Sequence, residues 1–125
     1  MILLLDAHAL LWWLGDDPEL ARQARAAIAD PVNDVLVSAA TIWEIEIKRM
    51  LGKLEAPMGL VDTLEPAGLG GLPITLRDAE SAARLPDHHR DPFDRMVIAQ
   101  AQRLDAILVT RDPIFGRYGV ESIPA

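Results

Sequence analysis

Ile2-Leu3-Leu4-Leu5-Asp6 opens the chain with four apolar residues and no polar interruption, then a carboxylate. An uninterrupted apolar run of that length suits a strand buried on both faces, as in a parallel sheet; a strand with one wet face would alternate. A second run near the other end, Ala106-Ile107-Leu108-Val109, has the same character and leads into Thr110-Arg111-Asp112-Pro113. In open parallel sheets, ligands bind in the crevice beyond the carboxyl ends of the strands. If the two strands are neighbours, Asp6 and Asp112 face one crevice.

Working outward, helical and strand segments alternate. A helix is expected over about Ala7 to Leu14. A break at Gly15-Asp16-Asp17-Pro18 precedes a helix from Pro18 to about Ala29, with Asp17 as its cap. Val35-Leu36-Val37 reads as a strand. A longer helix follows, from about Ala39 to Leu51, with either Ser38 or Thr41 as cap. Its apolar stripe is Trp43, Ile47, Met50, Leu51 and Leu54, at helical spacing. Residues 57–73 hold at most a short helix, and Gly68, Gly70 and Gly71 mark a flexible connection. Pro73-Ile74-Thr75 reads as a weak strand, Arg77 to Leu85 and Pro92 to about Leu104 as helices, and Val120 to Ile123 as a last strand. The alternation predicts an α/β fold, a three-layer α/β/α sandwich around a mainly parallel central sheet. With 125 residues, the chain has room for one core, so residues 1–125 are expected to form a single domain.

Composition narrows the function. No cysteine is present, which excludes disulfides and thiolate metal sites. The apolar start lacks a basic lead-in and stops at Asp6, and no stretch approaches a membrane span. A cytoplasmic protein is expected. The net charge of −7 is unusual for a nucleic-acid binder. Either nucleic acid is not the substrate, or the acids are concentrated where cations sit.

The acids fall in telling places. Asp6 and Asp112 end apolar strands, Glu44 lies within the Trp43 helix, and Asp91 and Asp94 are three apart at the start of the Pro92 helix, on one face. Each has a plain structural role open to it. Asp6, Asp91 and Asp112 can cap helices, and Glu44 can pair with Lys48 or form a capping box with Thr41. Together they form a set of like charges that repel unless a cation joins them. Oxygen ligands without thiolates favour hard ions, Mg²⁺ or Mn²⁺, and such a site suits hydrolysis of a phosphodiester. Zinc is disfavoured, because the adjacent His88 and His89 point in different directions on most backbones. They and His8 are read as ordinary polar residues.

Four blocks then carry a resemblance. Leu3-Leu-Leu-Asp6-Ala-His8, Ser38-Ala-Ala-Thr-Ile-Trp-Glu44-Ile-Glu-Ile-Lys48, His89-Arg-Asp91-Pro-Phe-Asp94-Arg-Met-Val-Ile-Ala-Gln-Ala101 and Leu108-Val-Thr-Arg-Asp112 stand in this order. So arranged, the chain resembles PIN-domain ribonucleases, in particular the VapC-type toxins of bacterial toxin–antitoxin pairs. The resemblance implies a PIN-like fold and a catalytic and metal site of Asp6, Glu44, Asp94 and Asp112, with Asp91 as a fifth acid or only a cap. It implies that Thr110 orients a metal-bound water or phosphate. Lys48, Arg95 and Arg111, with Arg90, flank the acids and could contact phosphates. The implied activity is Mg²⁺- or Mn²⁺-dependent endonucleolytic cleavage of RNA by metal-activated water, and the implied partners are a small antitoxin and a second copy of the chain. Two other readings stand beside it: a non-catalytic PIN-like binding module, and a haloacid-dehalogenase-type phosphatase. The phosphatase needs a second aspartate two residues after the first, where this chain has His8.

Overall fold

The computed structural model describes residues 1–125. Strands β1 (Ile2–Leu5), β2 (Asp34–Ser38), β3 (Gly70–Leu72), β4 (Ile107–Val109) and β5 (Ser122–Ile123) form one sheet in the order β3-β2-β1-β4-β5. Every pairing is parallel. Helices α1 (Ala7–Leu14), α2 (Arg22–Ala29), α3 (Ala39–Met50), α4 (Leu76–Arg84) and α5 (Pro92–Leu104) cover it, and two 3-10 turns, Leu60–Thr63 and Pro113–Tyr118, complete the chain. This is the α/β sandwich that the alternation predicts.

The apolar run at the start explains the layers. Leu3, Leu4 and Leu5 are all fully buried, and full burial of such a side chain contributes about 1.5–3 kcal/mol. Leu3 and Leu5 pack with Val35, Val37, Ile107 and Val109 against α1, α2 and Ile45 of α3. Leu4 and Leu108 face the other way, toward Val97, Ile98 and Ala101 of α5 and toward Phe115. Period-two alternation thus feeds two cores from one strand.

Several local expectations are corrected. The helix expected from Pro18 begins only at Arg22. Asp17 accepts from the Glu19 N–H in a turn, and the N-cap position is Ala21. The Trp43 stripe is not the packed face of α3: Trp43 is 62% exposed and Met50 77%. Ala40, Thr41, Glu44 and Ile45 are buried instead, so α3 packs by the face that carries the Glu44 carboxylate. Ser38, not Thr41, caps it, its Oγ accepting from the Ala40 N–H at 3.0 Å. Gly70 and Gly71 are not a flexible connection but part of edge strand β3, paired to Leu36 and Val37. A Cβ at position 70 would come within 3.0 Å of a Leu36 methyl, so glycine lets β3 approach closely. Pro73-Ile74-Thr75 is no strand; Thr75 caps α4 in a reciprocal box with Asp78.

Asp78 is 1% exposed and receives a two-pronged bond from Arg103 of α5, at 2.6 and 3.0 Å. The Arg103 hydrogen bond holds its carboxyl below the usual range. A lowered folded-state pKa gives stability above the ordinary value near 4, lost as pH falls through the folded one. Asp78→Asn is therefore expected to cost about 2 kcal/mol at pH 7, the scale of a charged hydrogen bond. Urea titrations should show the gap between wild type and variant narrowing below pH 4.

Candidate active site

Because β1 and β4 are neighbours, the residues that follow them meet beyond the sheet end. Asp6 comes directly after β1 and caps α1, its Oδ1 accepting from the Ala9 N–H at 2.8 Å. Asp112 caps the second 3-10 turn, accepting from the Ile114 N–H at 3.0 Å. Thr110 ties the two together. Its buried hydroxyl accepts from the Asp112 N–H at 3.1 Å and helps hold the Asp6 carboxyl down. The hydroxyl thus ties the start of the second 3-10 turn to the end of β4, next to Asp6.

Two helices deliver the remaining acids. Glu44 enters from the buried face of α3, with Lys48 Nζ 2.7 Å from its Oε2. Asp91 caps α5, its Oδ1 accepting from the Phe93 and Asp94 N–H groups at 2.8 and 3.1 Å. Pro92 in the first turn has no N–H to leave unsatisfied. Asp91 thus caps the helix and also lines the cavity. Asp94 lies one helical turn further, half-buried.

These five carboxylates line one cavity of about 720 Å³, with Lys48, Lys53 and Arg111 as the cations and His8, Trp12 and Phe115 among the other walls. Five acids against three cations leave a local surplus of negative charge. Burial, then the charges of Asp91 and Glu44, push the Asp94 carboxyl up to about 6, against a hydrogen bond from His89. Burial also raises Asp6, opposed by its bonds to Ala9 and Thr110. Lys48 is raised, first by its bond to Glu44 and further by the fields of Asp91 and Asp94. Five carboxylates with unneutralised charge fit a hard divalent cation. The cavity brings together Asp6, Glu44, Asp91, Asp94, Asp112, Lys48 and Arg111.

Arg95 is not brought there. Its donors go to the carbonyls of Ala82, Ala83, Leu85, Pro86 and His89, so it closes the C-terminal end of α4. Four of the last carbonyls of a helix lack intrahelical partners, and a guanidinium fork can answer several at once. Arg111 lines the cavity with its guanidinium 4.3 Å over the Trp12 ring, while its nitrogens bond the Ala125 carbonyl at 2.6 Å and Glu19. Trp12 and Trp13 are both half-buried, Trp13 donating to the Ala67 carbonyl at 3.1 Å. Arg90 is exposed beside Asp87.

One residue escapes sequence reasoning. His89 Nε2 lies 2.6 Å from Asp94 Oδ2, and His89, Asp94 and Asp112 each place a ligand-type atom within 4.8 Å of the others. No spacing rule signals this. His89 precedes the helix that carries Asp94, and only the bend of the intervening residues returns its ring to the site.

The PIN domain family's sequence profile matches residues 3–121. A comparison with curated protein sequences finds no match. Among solved structures, the chain is similar to VapBC2 of Rickettsia felis bound to a fragment of promoter DNA. The TM-score is 0.71 at 14% identity, over 99% of this chain and 98% of that one. It is similar to VapC20 of Mycobacterium tuberculosis, a toxin that cleaves the sarcin–ricin loop, with TM-score 0.71 at 13% identity over 98% and 99%. A toxin–antitoxin complex from Klebsiella pneumoniae matches with TM-score 0.60 at 22% identity, over 87% and 85%. No helix is long and apolar enough to cross a membrane. With the profile spanning nearly every element and the carboxylates gathered at the end of its parallel sheet, the chain belongs to the PIN domain family.

Proposed function

We propose that this protein is a divalent-metal-dependent endoribonuclease, the toxin of a toxin–antitoxin pair, acting as one unit over residues 1–125. The observation that carries the reading is the convergence of five carboxylates from four places in the chain on one cavity. Asp6, Glu44, Asp94 and Asp112 would hold Mg²⁺ or Mn²⁺, with Asp91 beside them. When bound, such a cation shields phosphate charge and makes an attacking water more acidic.

The chain's own residues set the rest. Thr110 holds Asp112 through its N–H and stands beside Asp6, where it would orient a water or a phosphate. Lys48 has three donors, of which Glu44 takes one, so it is the cation best able to meet a phosphate oxygen at the cavity. Arg111 contributes its charge and the face it presents with Trp12, since its nitrogens are engaged elsewhere. The products would carry a 5′-phosphate and a 3′-hydroxyl. An acidic protein can handle RNA in this way because the cation, not a basic surface, supplies the local positive charge.

The partners on this reading are RNA, a small cognate antitoxin and a second copy of the chain, in the cytoplasm. Support for the antitoxin comes from the neighbours in fold, among them VapBC2 of Rickettsia felis and the toxin–antitoxin complex of Klebsiella pneumoniae.

The test pairs a thermal melt with a cleavage assay on labelled RNA. Mn²⁺ or Mg²⁺ is expected to raise the melting midpoint, since a ligand of the folded state alone stabilises it. Cleavage should require the metal and stop with EDTA. Intact RNA under all conditions, with no metal response in the melt, would refute the proposal.

A further inference from the structure

We propose that His89 is a positioning residue of the candidate metal site, holding Asp94 through Oδ2 so that Oδ1 stays open to a cation. This rests on the metal-dependent reading above and names a part of the site that the carboxylates alone do not supply.

The geometry at the ring comes first. His89 Nε2 and Asp94 Oδ2 are 2.6 Å apart, the short separation of a charge-assisted bond. A carboxylate tied at one oxygen can no longer rotate freely, and its second oxygen is left with a fixed direction. Partners that hydrogen-bond metal ligands set ligand orientation in this way.

The backbone of His89 is held as firmly as the ring. The Tyr118 hydroxyl accepts from the N–H groups of His88 and His89, at 3.1 and 2.8 Å, and donates to the Pro86 carbonyl at 2.8 Å. From the other side, Arg95 Nη1 donates to the carbonyls of Pro86 and His89, each at 3.1 Å. Both backbone groups of His89 are therefore occupied, by two side chains from different elements. Its ring stands perpendicular to that of Phe115, with centroids 6.4 Å apart. Arg95 and Tyr118 order a segment with no regular structure of its own, and the group so placed is the imidazole at Asp94. The Tyr118 hydroxyl and the Arg95 guanidinium thus act on Asp94 through one ring.

Calorimetric titration of the whole protein with Mn²⁺ tests this, on wild type, His89→Ala, His89→Gln, Tyr118→Phe and Asp94→Asn, with thermal melts of each as a check on folding. His89→Ala is expected to weaken Mn²⁺ binding about 10- to 100-fold, the range for partners of metal ligands. His89→Gln, which keeps an N–H donor near the Nε2 position, should recover most of that loss. Tyr118→Phe, which loosens the segment but leaves the ring, should show a smaller loss in the same direction. Wild-type affinity in His89→Ala would overturn the inference while leaving the metal site standing. A His89→Gln variant as deficient as Asp94→Asn would overturn it too, since His89 would then be a direct ligand. Failure of the wild type itself to bind Mn²⁺ would remove the metal-dependent reading, and this inference with it.

Discussion

Asp94→Asn is expected to abolish RNA cleavage and, at the same time, to make the metal-free protein more stable at pH 8. The second effect separates this substitution from one that simply damages the fold. Burial and the neighbouring Asp91 and Glu44 push the Asp94 carboxyl up to about 6 from an ordinary 3.8. A raised folded-state pKa gives stability that is fully present below the ordinary value and lost as pH rises through the folded one. Ionising Asp94 without a cation should therefore cost on the order of 3 kcal/mol by pH 7–8, at 1.36 kcal/mol per unit. Asparagine has the same shape and never takes the charge. The variant's melting midpoint should exceed that of the metal-free wild type at pH 8, the two should converge near pH 4, and Mn²⁺ should stabilise only the wild type. Retained cleavage in the variant would refute the assignment of Asp94. A midpoint below wild type at pH 8 would refute the charge argument.

Phe115→Ala should give the largest loss of stability, about 3–5 kcal/mol by the usual cost of emptying an aromatic core site. Phe115 is 2% exposed and packs with Leu4, Leu108 and the apolar face of α5. It also lines the carboxylate cavity and stands edge-on to His89. Since small domains are stable by only about 5–15 kcal/mol, the variant should show a sharply lower urea midpoint. Its cleavage should fall even at temperatures where it stays folded, because Phe115 lines the cavity and supports the His89 ring. An unchanged urea midpoint would contradict the packing described here.

Much of this arrangement is legible in the residues themselves. Continuous apolar runs ending in Asp6 and near Asp112 identify the two central strands, since a run buried on both faces leaves little choice of environment. Asp91-Pro92 marks the start of α5 by its capping chemistry. The failures share a cause. The stripe containing Trp43 has helical spacing, but spacing gives a face and not what the face meets; the structure leaves Trp43 edge-on to Phe93 and largely exposed. Gly70 and Gly71 look like a linker until a neighbouring strand crowds the place of a side chain at Gly70. Arg95 flanks the acids in sequence, yet the open carbonyls at the end of α4 take its donors. His89 reaches Asp94 through a bend that no periodicity encodes. What sequence alone withholds is the set of contacts made across elements.

The central pairing has a consequence for the order of events during synthesis. Strand β1 is made first, but its partner on one side is β4, with Leu3 opposite Ile107. Asp6 therefore meets Asp112 only after the whole segment that joins them has been translated. Helices can form locally on a growing chain, whereas a contact of such sequence separation must wait for both ends and close a large loop. A nascent chain, however much helix it has gained, keeps Asp6 away from Asp112 until β4 emerges.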